Sequence, residues 1–366
     1  MRFLILLFLL MTLPASASDQ LIFIGTYTRS TSKGVYAVRL NPATGTLSTP
    51  VLAARTASPS WITLSPDQKT LYAVSESDSM AAAFATDLKL GTLTALQPPQ
   101  SSGGAAPCHL VVDPTQQTLL VANYHTGIVA AIPLLPNGTL GMPHIIQHTG
   151  HSVNPDRQAS PHVHSVTLSP DAQFAIVCDL GLDRIFTYRL EASTATLTPV
   201  EAAFVATPPG AGPRHFVFGA DGRHGYACTE MGSTVLAFDY APATGALTLK
   251  QSISSLPTDF KGSSSGAEIR LHPNGRFLYA SNRGDDSIAV FAVDATTGAL
   301  TLVEIAPCGG KNPRNFSLSP DGAWLVCANQ NSNSLSVLRV NPTTGRLTLT
   351  PATAEIPLPV CVLFVR

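Results

Sequence analysis

Four residues of this chain, His164, Arg214, Glu230 and Arg283, are of the types that together carry out proton transfer and anion binding. An imidazole or a carboxylate takes a proton from water, and a guanidinium holds an oxyanion, a carboxylate or a phosphate through paired N–H donors. Only 12% of the residues are charged, so such groups stand out wherever they converge. Arg214 lies in GPRHFVFGADG, directly before a run that reads as a β-strand. Whether the four meet depends on the elements that carry them.

Those elements repeat. A polar turn recurs seven times as NPATGTL, LKLGTL, LPNGTL, ASTATL, PATGAL, ATTGAL and NPTTGRL, at intervals of 46 to 57 residues. Gly45, Gly91, Gly138, Ala195, Gly245, Gly298 and Gly345 take equivalent places, where a hairpin favours positive φ. Between these turns runs a second pattern of strand, Pro/Asp/Gly turn and strand, as in LSPDQKTLYAVSE and LHPNGRFLYASNR. Six copies are complete. The seventh is split, with IPLPVCVLFV at the C-terminus supplying one arm and LIFIGTYT near the N-terminus the other. A period of this length with a split last unit predicts an all-β, seven-bladed β-propeller, its ring closed by N-terminal strands joining the C-terminal strand in the last blade. Pro359 to Val365 then supplies the first strand of that blade, and the chain from Leu21 to Ala53 supplies the others. No segment shows a sustained helical period, and no linker divides the chain.

In a common frame the residue opening the first strand of each blade is Ser60, Cys108, His164, Arg214, Ala267, Arg314 or Val360. The residue after it is Trp61, His109, Ser165, His215, Glu268, Asn315 or Cys361. First strands line the channel of a propeller, so these positions ring one mouth of it. The second strand returns to the same face sixteen residues later, at Glu76, Tyr124, Leu180, Glu230, Arg283 and Gln330, with Tyr27 from the N-terminal strand. His164, Arg214, Glu230 and Arg283 therefore converge from three consecutive blades on one small-molecule site. Arg314, His109 and Glu268 are the candidates for holding substrate beside them. Strand alternation turns His215 away from Arg214. The longest interval between turns contains QHTGHSVNPDRQASPHVHS, extra chain placed to cover that mouth.

Several classes are disfavoured. A net charge of -1 without a basic run argues against nucleic acid and anionic membrane surfaces. The histidines at 144, 148, 151, 162 and 164 lack a ligand spacing, since His162 and His164 alternate along a strand, and no metal is expected. No Gly-rich phosphate loop, Ser elbow or dinucleotide fingerprint occurs, so no cofactor is expected, and GSSSG at 262–266 reads as a flexible loop. Cys178, Cys228 and Cys327 sit in strand-like runs as small apolar residues, with Cys108, Cys308 and Cys361 undecided. Arg2, the apolar run from Phe3 to Leu13 and Ala15-Ser16-Ala17 form a signal-peptide pattern, shorter than the about 18 residues of a membrane span. The expectation is a periplasmic or secreted protein, with residues 1–17 as signal peptide and 18–366 as one domain, a monomer or weak dimer, without a membrane segment after cleavage.

PHVHS at 161–165, GPRHFVF at 212–218, ACTE at 227–230, HPNGRFLYASNRG at 272–284 and KNPRNFSLSPDG at 311–322 resemble the seven-bladed propeller lactonases. That family includes propeller-type 6-phosphogluconolactonase and the carboxymuconate lactonising enzyme, and the resemblance covers essentially the whole chain after the signal. It implies a lactone or sugar-acid substrate and an active site at His164, Glu230, Arg214 and Arg283. The implied reaction is metal-independent hydrolysis of a sugar lactone, phosphorylated or not. The alternatives are a muconate-type cycloisomerase and a non-catalytic ligand- or protein-binding propeller. The residues alone leave His164 and Glu230 both open as the base.

Overall fold

The computed structural model describes residues 18–366. The expected signal peptide, 1–17, lies outside the described residues.

Serine, proline and aspartate in the inner hairpins fold the chain back by local hydrogen bonding. Ser169 Oγ donates to Asp171 Oδ1 at 2.6 Å and accepts from the Phe174 amide at 2.9 Å. The same arrangement recurs at Ser65 with Asp67 and at Ser319 with Asp321. Side chains thus supply the turn's hydrogen bonds wherever the second pattern occurs. The strands they join form seven antiparallel sheets in chain order. Blades 1 to 6 span residues 62–101, 107–147, 163–206, 213–254, 265–307 and 313–355. Blade 7 combines Pro359–Phe364 with Gln20–Thr26, Gly34–Leu40 and Val51–Arg55, in that order.

Ring closure follows the split repeat. Ile22 pairs with Phe364 and Ile24 with Val362, so the chain's two ends are hydrogen-bonded neighbours. Phe23 packs into the cluster shared with blade 1, whereas Ile22 and Ile24 pack against blade 6. A strand buried on both faces explains why these segments read as continuous apolar runs. Blade 1 departs from four simple strands. Its outer edge is broken into Thr92–Ala95 and Gln100–Ser101, both on Met80–Asp87, with Pro98 and Pro99 between them lacking amide donors.

The outer turns lock one blade to the next. Gly345 has φ +72°, and a Cβ there would lie 2.5 Å from Phe277 Cδ1 of the preceding blade. Its carbonyl accepts from Tyr279 Oη at 2.9 Å, as Gly298 accepts from Tyr226 and Gly138 from Tyr72. Ala195 adopts φ 49° where the other turns carry glycine. All six cysteines are buried and free, including the three left undecided. Replacing Gly345 by alanine forces a left-handed side chain onto Phe277, and urea denaturation should show a loss of about 2 kcal/mol; an unchanged midpoint would count against this account of blade docking.

Candidate active site

The first strand of most blades begins with a β-bulge. Register shifts between Val163 and Ser165, Pro213 and His215, and Pro313 and Asn315 leave His164, Arg214 and Arg314 without a partner across the ladder. Cys108 and Val360 are skipped in the same way in blades 2 and 7. A bulged residue breaks alternation and re-aims its side chain. The expectation that alternation turns His215 away is therefore overturned, because two successive side chains reach the channel. Arg214 Nη1 lies 3.2 Å from His215 Nε2, and the His164 and His215 rings are 5.3 Å apart. His162 and His164 do not separate either. His162 stacks on Tyr124 at 4.4 Å and His164 meets the same ring edge-on at 5.4 Å.

Glu230 is the centre of the group. Its Oε2 accepts from Arg214 Nε at 2.9 Å and forms an ion pair with Arg283 Nη2 at 3.0 Å, with His164 Nε2 at 3.8 Å. Its Oε1 accepts from Arg157 Nη2 at 2.6 Å. Burial pushes the Glu230 carboxyl up, but Arg283, Arg214, His164 and the Arg157 hydrogen bond together hold it well below the usual carboxylate range. Burial, then Arg214 and His215, hold His164 well below the usual imidazole range despite Glu230. Burial, with Arg214 and Arg314 nearby, brings Arg283 down to about 10 although Glu230 opposes the shift. Arg283 Nη2 also donates to Gly266 O at 2.9 Å, while its buried Nε has no partner among the described residues.

Gly266 corrects the reading of GSSSG as a flexible loop. Ser265 and Gly266 already belong to the first strand of blade 5, and a Cβ at Gly266 would collide with the Thr229 carbonyl. Glycine is needed there so that blade 5 can approach the strand end carrying Glu230. On the far side, Glu76 accepts from Tyr27 Oη at 3.1 Å and from Ser60 Oγ, and the Arg314 guanidinium carbon stands 5.3 Å from the Tyr27 ring centroid. The mouth thus gathers four guanidiniums, at 157, 214, 283 and 314, against the carboxylates of Glu76 and Glu230. With the imidazoles neutral, the excess is positive and suits an anion.

His109 and Glu268 lie one layer deeper than the Glu230 group. Arginine only donates, so His215 Nε2 is the acceptor for Arg214, and the His215 proton sits on Nδ1, facing Glu268 Oε1 at 3.2 Å. Glu268 also accepts from the Ile269 amide at 3.0 Å and from Asn315. His109 packs against Trp61 at 4.0 Å and His215 at 5.3 Å. These side chains form the end wall of a separate cavity of about 350 Å³, which Arg270 also lines. Among the described residues no three His, Cys, Asp or Glu side chains cluster as ligands of one metal ion.

Sequence reasoning missed Arg157, which lies inside the covering insertion it had marked, and set aside Tyr27, Glu76 and Tyr124, which its own frame contained. The signal for Arg157 was a lone cation in a loop expected over an anion-binding mouth.

The buried imidazoles make folding sensitive to acid. Burial is the first cause for His109, His164 and His215, and all three lie well below their ordinary value of 6.5 in the folded chain. Below that pH the unfolded chain takes up protons that the folded chain refuses, so stability must fall as pH drops from 6.5. Each imidazole contributes up to about 1.4 kcal/mol per pH unit. Glu230, depressed in the fold, adds a further loss only below the ordinary carboxylate range, as pH falls toward its folded value. Urea unfolding at pH 7.5, 6.0 and 5.0 should give this slope, reduced by about one proton in His215→Asn; a flat profile would show that these imidazoles are not held neutral.

The family profile described as "Lactonase, 7-bladed beta-propeller" matches residues 21–364. A 6-phosphogluconolactonase of Bacillus subtilis is 37% identical over 347 residues, covering 94% of this chain and 98% of that protein. One from Formosa agariphila is 31% identical over 305 residues, covering 81% of this chain and 85% of its own. The solved structure of a periplasmic gluconolactonase from Pseudomonas aeruginosa superposes with a TM-score of 0.91 at 35% identity, covering 95% of this chain and 99% of that one. With the closed ring of seven blades already in view, these matches show that the chain belongs to the seven-bladed β-propeller lactonase family.

Proposed function

We propose that the protein hydrolyses a sugar lactone, without a metal, at the mouth formed by His164, Arg214, Glu230 and Arg283. The observation that carries this reading is the occupation of Glu230. Three arginines bond its two oxygens, which leaves it a weak base, whereas His164 beside it is neutral and free to accept a proton. His164 is accordingly the general base, and Glu230 the fixed negative charge that stabilises the imidazolium and aligns the arginines.

The steps follow from the donors present. Water gives its proton to His164 as its oxygen attacks the lactone carbonyl. The carbonyl oxygen becomes an oxyanion held by Arg283 and Arg214. As that negative charge grows, it offsets the guanidiniums that depress His164 in the empty site, so the imidazole becomes more basic when it must take the proton. Collapse of the tetrahedral intermediate breaks the bond to the ring oxygen. That oxygen takes the proton back from His164, giving an open-chain hydroxy acid. A positioned base and preorganised donors supply both parts of the reaction, and the scheme calls for no Lewis acid.

Export fits the periplasmic relative and the signal pattern at 1–17. A periplasmic location favours a substrate available outside the cytoplasm, and the arginine excess favours one whose product or substituent is anionic.

Hydrolysis of glucono-δ-lactone, followed by pH-stat against the spontaneous rate, tests the assignment. His164→Ala should lower kcat by about 10² to 10⁴-fold and Arg283→Met by about 10² to 10³-fold. Wild-type turnover no faster than background would remove the lactonase reading, and full activity in His164→Ala would remove His164 as base.

A further inference from the structure

The four residues of the mouth are almost closed off from solvent. The side chains of His164, Arg214, Glu230 and Arg283 are 5%, 3%, 8% and 12% exposed, whereas that of Arg157 is 44% exposed and lies against them. Arg157 Nη2 reaches both Glu230 Oε1 at 2.6 Å and Tyr124 Oη at 3.2 Å, spanning from blade 2 to blade 4. Arg157 is thus the most exposed of the side chains gathered around Glu230.

The loop that carries it is pinned along its length. His148 sits between Asp179 Oδ2 at 2.7 Å and Tyr188 Oη at 2.8 Å, and Ser152 Oγ donates to Asp183 Oδ2 at 2.6 Å. Asn154 Oδ1 accepts from the amides of Asp156 and Arg157 at 3.0 and 3.1 Å. Gln158, the next residue, is fully buried and donates to Leu180 O at 2.8 Å. The backbone on either side of Arg157 is therefore fixed, and the element free to move is the arginine side chain.

We propose that Arg157 is a side-chain gate and specificity determinant: it leaves Glu230 when a lactone enters, and it clamps an anionic substituent carried by that lactone away from the reacting ester. The proposal rests on the lactone reading given above. A phosphate or carboxylate on the substrate replaces Glu230 as the partner of Arg157, so one charge-assisted pair is exchanged for another. A neutral lactone must break the same pair and offers no equal in return. Glu230, relieved of one guanidinium, then presents more of its negative charge to His164, which raises the basicity of the imidazole once Arg157 has swung away. The positive excess of the mouth and the unpartnered Arg283 Nε point to the same ligand chemistry.

The test compares glucono-δ-lactone with its 6-phosphate in wild type, Arg157→Gln and Arg157→Lys, alongside calorimetric binding of gluconate and 6-phosphogluconate. In Arg157→Gln, kcat/KM for the phosphorylated lactone should fall by about tenfold or more, chiefly through KM, while that for the neutral lactone rises as the gate is removed. Lysine should restore part of the preference. Binding of 6-phosphogluconate should weaken by about tenfold in Arg157→Gln, and that of gluconate should not. Equal losses on both lactones, no change on either, or 6-phosphogluconate binding that is absent in wild type or survives the substitution would each overturn the proposal. If wild type turns over neither lactone, the hydrolase reading falls, and the calorimetric comparison still decides the role of Arg157.

Discussion

A carboxylate taken out of water must be neutralised where it stands, and Glu230 imposes that requirement on this whole face of the ring. Removing the charge from solvent is costly unless several donors surround it. Arg214 comes from its own blade, Arg283 from the next and Arg157 from the strap before His164, and each meets one of its two oxygens. Arg214 is fixed in turn by His215, His215 by Glu268, and Glu268 by Asn315. The orientation of the outer layer is thus set by a second, fully buried layer. That second layer has its own charge balance and opens on a different cavity, so the channel is divided by side chains rather than running through as a pore.

The device that makes two layers available is the bulge. A regular strand shows the channel every other residue, and a seven-strand ring built that way would present one side chain per blade at each level. Skipping His164, Arg214 and Arg314 in the ladder gives the channel two successive side chains per blade at the mouth. The added groups can be bulky and charged because the backbone, not a rotamer, makes the room. Gly266 plays the complementary part in blade 5, where closeness of the backbone to Thr229 allows Arg283 to reach across.

This division marks what could be read from the residues. The ring was legible because its signals are local: the Ser-Pro-Asp turns make their own hydrogen bonds, the glycines hold positive φ, and the two-faced apolar strands need no partner to be recognised. The grouping of His164, Arg214, Glu230 and Arg283 was legible because strand ends recur at a constant separation. Bulges cannot be counted from one sequence, so strict alternation misdirected His215 and gave no depth to His109 and Glu268. Arg157 was hidden for a different reason. Its place depends on Gln158 bonding Leu180 and on Ser152 bonding Asp183, contacts between the strap and blade 3 that no periodicity encodes.

Each blade contributes to the mouth, and the contributions are not alike. Tyr27 and Glu76 come from blades 7 and 1, Tyr124 from blade 2, His164 from blade 3, Arg214 and Glu230 from blade 4, Arg283 and Arg314 from blades 5 and 6. His164 and Glu230, on blades 3 and 4, are thus flanked by guanidiniums on 5 and 6 and, on 7, 1 and 2, by two phenols with the Glu76 carboxylate between them. Burial, with Glu76 beside it and Arg314 opposing, pushes the Tyr27 hydroxyl up to about 12, so that phenol keeps its proton and donates it to the Glu76 carboxylate. A polyol ring lying across the mouth would meet phenol hydroxyls and the Glu76 carboxylate on one side and guanidiniums on the other. In the proposed reaction such an asymmetry would orient an entering lactone, with its developing oxyanion toward the guanidiniums of Arg214 and Arg283. The separation of these arcs is set by the closure of the ring, and the pairing of Ile22 with Phe364 and Ile24 with Val362 is what holds that circumference constant.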